Sequence, residues 1–192
     1  MSIIGESIRN IAVIGHSGEG KTTLCEAMLF NGGAVDRQGK VADGTTVTDF
    51  DELEKSKKMS IYTACAYLHW KGTKINLLDL PGFYDFEGER HEGLRAASGA
   101  LLVIGANGVL PIGAESVVDY CLRLGKPLII FINGMDKENA DYFGTVRALK
   151  EKYSGKLAPI QIPIMENGKM QGCICLLYTS LSPRDTERSR MP

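Results

Sequence analysis

The stretch Gly15-His16-Ser17-Gly18-Glu19-Gly20-Lys21-Thr22 fits GxxxxGKT at every fixed position. The apolar run Ile11-Ala12-Val13-Ile14 leads into it, and the helix-forming run from Lys21 to Phe30 leads out. This order, strand then glycine loop then helix, separates a phosphate-binding loop from a chance match. The glycines let backbone N–H groups turn inward around phosphates, and the new helix aims its positive N-terminal end at them. The stretch from Gly15 through Thr23 is therefore read as a phosphate cradle, in which Lys21 reaches the outer phosphates and Thr22 holds Mg²⁺. A glycine-rich turn without a ligand is the competing reading.

The rest of the chain alternates strands with helices. Asn31 to Ser60 is a polar stretch with little apolar periodicity, long enough that a functional loop is expected. Ile61 to Trp70 reads as a strand, with Lys74 to Leu80 as its hairpin partner across Lys71-Gly72-Thr73. Gly99 to Gly105 and Pro127 to Ile132 read as buried strands, and Ala158 to Ile164 as a last short one. Pro111 to Leu124 and Asn139 to Tyr153 carry helical spacing, each closed by a glycine. This pattern predicts an α/β fold of the P-loop NTPase kind, a mostly parallel sheet flanked by helices with ligand loops at the carboxyl ends of the strands.

Composition excludes several classes. The chain is 44% apolar and 23% charged with a net charge of −1, so no bulk field favours nucleic acid or an anionic membrane. No apolar segment approaches the roughly 20 residues that cross a bilayer. The five cysteines (Cys25, Cys65, Cys121, Cys173 and Cys175) lack metal-ligand spacing and read as reduced thiols of a cytoplasmic protein. No secretory signal is expected at the N-terminus.

From Cys175 onward the apolar periodicity stops. Cys175 to Ser180 can be encoded by TGT CTC TTA TAC ACA TCT, which looks like the end of a transposase sequencing adapter. Ser182 to Asp185 and Ser189 to Pro192 look like later adapter segments in the same frame. Residues 175–192 are accordingly expected to be non-native, disordered read-through, with a natural disordered tail as the alternative.

Three further segments narrow the nucleotide. Asp79-Leu80-Pro81-Gly82 ends a strand; its carboxylate can reach Mg²⁺ through water, and the Gly82 N–H can contact the terminal phosphate only while that phosphate is present. Asn133-Gly134-Met135-Asp136 follows an apolar strand, and Asp136 would accept hydrogen bonds from the two guanine nitrogens that adenine does not offer as donors. Lys58-Met59-Ser60-Ile61 closes the long loop, where the Ser60 hydroxyl could cover Mg²⁺ and the last phosphate.

In this order the segments resemble a translation-factor GTPase domain, closest to elongation factor G and its bacterial elongation factor G-like paralogues. Asn133-Gly134-Met135-Asp136 resembles the guanine-reading NKxD motif, with Gly134 where lysine is usual. Ser7 to Asn10, Gly39-Lys40-Val41, Asp43-Gly44, Asp49-Phe50-Asp51, Tyr84-Asp85-Phe86, the Gly105-to-Pro111 segment and Pro159 to Ile164 add to the likeness, which covers roughly residues 5–172. It implies GTP or GDP and Mg²⁺ as cofactors, with GTP-binding residues in the cradle and at Asp79, Gly82, Asn133 and Asp136. It implies metal contacts from Thr22, Ser60 and Asp79, and catalytic contributions from Lys21 and Gly82. It also implies a ribosome as partner, with no membrane and no direct sequence-specific nucleic-acid contact by this domain. Residues 1–174 would be the N-terminal part of that domain, stopping before the family's insertion and its Ser-Ala guanine turn.

The departures carry information too. The family's water-positioning histidine follows the Asp-x-Pro-Gly motif, and here that position is Phe83, which can neither donate nor accept a hydrogen bond. Gly18 replaces a common acidic residue, and Glu19 brings a carboxylate near the phosphates. Losing the lysine at Gly134 removes an aliphatic stem that covers one face of the base. His91, eight residues beyond Phe83, reads as a surface side chain. The alternative to a hydrolase is a GTP-binding regulatory or ribosome-associated module with weak intrinsic hydrolysis; a third reading is an adenine-specific ATPase.

Overall fold

The computed structural model describes residues 7–153, 155, 157–166 and 168–178. The chain divides into two compact units, one made of residues 1–105 and 110–133 and the other of residues 106–109 and 134–192.

The first unit is a five-stranded sheet in the order β2-β3-β1-β4-β5. Its strands are β1 (Ile8–Ile14), β2 (Ala64–Trp70), β3 (Thr73–Asp79), β4 (Gly99–Gly105) and β5 (Leu128–Asn133). All neighbours are parallel except β2 and β3. Central β1 and β4 are apolar along most of their length because both of their faces are covered. Edge strand β2 instead alternates, with Ala64, Ala66 and Leu68 buried while Cys65, Tyr67, His69 and Trp70 face out. Helix α1 (Lys21–Asn31) brings Cys25 and Leu29 onto Val13, Ala66, Leu68, Leu77 and Val103 to form the core. Helix α3 (Glu87–Ala96) packs against β1, and α4 (Ile112–Arg123) against β4.

Two differences from the sequence reading have clear causes. The strand expected from Ile61 begins at Ala64, because the N–H groups of Ile61 and Tyr62 go to the Glu54 carboxyl and that of Thr63 goes to Glu89. These amides are satisfied without a ladder. The polar stretch from Asn31 to Ser60 contains a 3₁₀ turn at Val41–Asp43 and a short helix, α2 (Glu52–Lys57). A capping box starts α2: Asp51 accepts from the Leu53 N–H at 2.8 Å, and Glu54 accepts from the Asp51 N–H at 3.2 Å. The charge run Asp51 to Lys58 is thus a capped helical turn.

The second unit holds α5 (Tyr142–Tyr153) and an antiparallel pair, β6 (Gln161–Glu166) with β7 (Lys169–Cys175). Helix α5 starts at Tyr142 because the Asp141 carboxyl accepts the Gly144 N–H at 2.8 Å and so caps it. The strand expected over Ala158 to Ile164 starts at Gln161 and belongs to this hairpin, turning at Gly168 (φ 75°). Cys175, placed at the head of the suspected read-through, is the last residue of β7 and pairs with Gln161. Most of that segment, residues 179–192, lies outside the described residues.

Candidate functional site

The phosphate loop is shaped by what its glycines touch. A Cβ at Gly15 would run into the Val103 carbonyl of β4, and one at Gly20 into the Asn133 amide. Gly18 and Gly20 take φ of 80° and 89°, a left-handed backbone that side chains resist, and Gly20 starts α1 from it. Asn133, at the end of β5, donates its Nδ2 to the Glu19 carbonyl at 2.8 Å. Expected as a guanine contact, it braces the phosphate loop from the side.

Lys21 is buried and donates its Nζ to the His16 carbonyl at 3.0 Å, curling over its own loop. Burial lowers its pKa, opposed chiefly by the charge of Asp79. Gly82 sits directly against Lys21 Nζ and the Ser17 N–H, with no room for a side chain. The Asp-Leu-Pro-Gly turn is therefore packed onto the phosphate cradle.

Beside this lies a cluster of oxygens. Thr22 donates to Asp79 Oδ2 at 2.8 Å, and Thr48 donates to the same atom at 2.9 Å. Ser60 donates to Asp49 Oδ1 at 2.7 Å, and Thr46 to Asp49 Oδ2 at 3.3 Å. Thr22 Oγ1 and Ser60 Oγ lie 3.3 Å apart. Desolvation raises the Asp79 pKa to about 6 against the favourable bonds from Thr22 and Thr48. Its second oxygen, Oδ1, is buried and has no hydrogen-bond partner. That orphaned oxygen, with two hydroxyls beside it, suits a hard divalent cation such as Mg²⁺. No group of three or more His, Cys, Asp or Glu among the described residues could hold a metal alone, so phosphate and water oxygens would have to complete the shell.

A cleft of about 210 Å³ opens above these groups. Of the expected residues, Ser17, Gly18, Gly20, Lys21, Thr22, Thr23, Ser60 and Gly82 line it. Gly15, His16, Glu19, Asp79 and Asn133 lie outside its lining, the first three as parts of the same loop. Val41, Asp49, Lys58, Met59 and Phe83 line it without having been singled out as ligands. Phe83 is half-buried and joins Val41 and Met59 as an apolar side of the cleft. His91 does not replace a histidine there: it meets Tyr120 edge-on with ring centroids 4.8 Å apart and lies 3.5 Å from Glu87.

Asp136 belongs to the second unit, exposed in a turn closed by the Lys137 N–H on the Gly134 carbonyl at 3.1 Å. Gly134 has φ 75°, and the Lys137 stem fills the space a Cβ there would need, its Cε 3.2 Å from that position.

The sequence reading missed Asp49 and Thr48, although Asp49 stood within a segment of the family likeness, and it missed Glu26. The available signal for Glu26 was its place as the one charge in the run Leu24-Cys25-Glu26-Ala27-Met28-Leu29. Among the described residues all five cysteines are free, and no helix is long and apolar enough to cross a membrane.

Residues 6–181 match the family model described as the elongation factor Tu GTP binding domain, a match that runs past Cys175. An elongation factor G-like protein of Mycobacterium tuberculosis is 40% identical over 156 residues, covering 81% of this chain and 22% of that protein. The mitochondrial ribosome-releasing factor 2 of Anopheles gambiae is 37% identical across 93% of this chain and 24% of its own length. Elongation factor G of Petrotoga mobilis is 38% identical, with 90% and 25% covered. The crystal structure of a Thermus thermophilus protein superposes with a TM-score of 0.83 at 34% identity, covering 97% of this chain and 30% of that one. The chain thus spans about a quarter of the length of these curated relatives.

Proposed function

The chain belongs to the elongation factor Tu GTP-binding domain family, and from that premise we propose that it is the nucleotide-binding part of a translational GTPase of the elongation factor G type. The observation that carries this reading is the junction of Thr22, Asp79 and Gly82 at the phosphate loop, with the Asp79 oxygen left unpaired inside it.

In this reading, the loop N–H groups and Lys21 bind the phosphates of GTP, and Lys21 leaves the His16 carbonyl to do so. Thr22, Ser60 and, through water, Asp79 would hold Mg²⁺, which would supply charge neutralisation at the phosphate oxygens. Ser60 must first release Asp49. Gly82 offers its N–H to the terminal phosphate, so cleavage of that phosphate frees the turn and changes the surface a ribosome meets. Asp136 selects guanine. Catalysis is then mostly positioning and electrostatic stabilisation, with the attacking water oriented by geometry or by the ribosome, since Phe83 cannot bond it. The free cysteines suit a cytoplasmic setting.

Phe83 is also the observation behind a second reading, a GTP-binding module that hydrolyses weakly and regulates or marks ribosomes. Single-turnover GTP hydrolysis by the complete gene product, with and without ribosomes, separates the two. Ribosomes should accelerate hydrolysis, and Phe83→His should raise the rate further by about tenfold or more. No acceleration and no gain from the histidine leave the module reading. Guanine specificity has its own check: GDP should outcompete ADP, and Asp136→Asn should remove that preference.

A further inference from the structure

Glu26 has no part in the readings above, yet it is fully buried in α1. One turn separates it from Thr22, and positions four apart share a helix face. Its two carboxyl oxygens reach out of the helix to the long loop, Oε2 accepting the Gly39 N–H at 2.9 Å and Oε1 the Val47 N–H at 2.6 Å. Gly39 is matched to this contact: a Cβ there would lie 2.7 Å from Glu26 Oε2 and 2.8 Å from the Thr46 Cα. The residues immediately after Val47 are Thr48 and Asp49, which carry the loop's hydroxyl to Asp79 and its carboxylate to Ser60.

A closed ring follows. From Thr22 it runs through Asp79 to Thr48, along the backbone to Val47, across to Glu26, and back up one turn of α1 to Thr22. We infer that Glu26 is a positioning residue for the metal–phosphate site: by clasping Gly39 and Val47 it fixes where the loop delivers Thr48, Asp49 and Ser60, and so sets how readily the divalent cation binds. This inference rests on the nucleotide and Mg²⁺ reading given above. Acidic residues buried in a helix usually need a charged partner; here two backbone N–H groups of one loop take that place, so the contact forms only when the loop is docked.

Two variants attack the clasp from its opposite sides. Glu26→Gln keeps the side chain's volume but turns one acceptor into a donor facing a donor. Gly39→Ala leaves Glu26 untouched and pushes the loop off it. In the complete gene product, each is expected to raise the Mg²⁺ concentration for half-maximal GTP retention by about tenfold. GDP binding in excess chelator should change little, and amide hydrogen exchange over residues 39–49 should speed up. A melting temperature close to the parent's confirms that the site, not the fold, has moved. Variants that bind Mg²⁺ like the parent, or that lose metal-free and metal-dependent binding alike, overturn the inference while leaving the GTPase reading standing. A parent protein with no Mg²⁺-dependent guanine nucleotide binding overturns both.

Discussion

The phosphate loop and the long loop from Asn31 to Thr63 meet at one cleft, yet they are held by opposite means. In the phosphate loop, backbone is pressed against its neighbours with no room to spare: Gly15 against Val103, Gly20 against Asn133, Gly82 against Ser17. The long loop is held mainly by carboxyl groups reaching its N–H groups, from Glu26 to Gly39 and Val47, from Glu54 to Ile61 and Tyr62, and from Glu89 to Thr63. Steric packing of this kind leaves the loop backbone one arrangement, although the Lys21 side chain is turned onto the His16 carbonyl. Side-chain clasps each contribute a modest net free energy and can open singly. A rigid binding surface and a releasable cover are thus written in different chemistry a few residues apart.

Gly15→Ala should break the rigid side most severely. Its Cβ meets a strand carbonyl that cannot move without disturbing β4, and a loss of about 3 kcal/mol in urea unfolding is expected together with loss of phosphate binding. Full stability in that variant would mean the cradle yields as the cover does. Next comes Glu54→Ala, which strands the N–H groups of Asp51, Ile61 and Tyr62. A cost of about 2 kcal/mol is expected, read locally as faster amide exchange at residues 51–62 while β1 and β4 stay protected. Protection lost evenly across the sheet would contradict a separately opening cover.

Asn133→Ala probes a side-chain brace that reaches the rigid side from another strand, the bond to the Glu19 carbonyl. It should cost about 1 kcal/mol and weaken GDP and GTP equally in equilibrium titrations, because both share the braced loop. The smallest effect, and a gain, is expected from Lys58→Gly. Lys58 closes α2 with φ 54°, a conformation that glycine adopts freely, so the protein should melt later by an amount worth about 1 kcal/mol.

The same division decided how much could be read from the amino acids. The phosphate loop was legible because its rules are local: glycines where the backbone must turn left-handed, a lysine and a threonine at the helix start. Strand β4 was read end to end, Gly99 to Gly105, since a run of small aliphatic residues leaves little choice. The long loop was opaque because what orders it comes from elsewhere in the chain. Nothing in the spacing of Gly39 and Val47 says that a glutamate on α1 will hold them. The capping box at Asp51 and Glu54 was visible in principle but hidden inside a charge run. Hairpin β6–β7 was only half anticipated: Pro163 and a bulge after Ile164 blur the alternation of the first strand, and the second was not recognised. At the site, motif order pointed to Thr22, Ser60 and Asp79, which the fold brings together. The order gave no hint that Ser60 would be tied to Asp49.

The hairpin of β2 and β3 has an optical consequence. Trp70 is the chain's one tryptophan, half-exposed beside the turn at Lys71 and Gly72, while the other end of the same strand pairs Ala64 with Asp79. About six residues of extended strand put the indole roughly 20 Å from the carboxylate. Intrinsic fluorescence should therefore stay silent when a nucleotide enters the cleft and respond when the hairpin itself frays. A signal seen on adding nucleotide would mean that the strand had carried the event along its length.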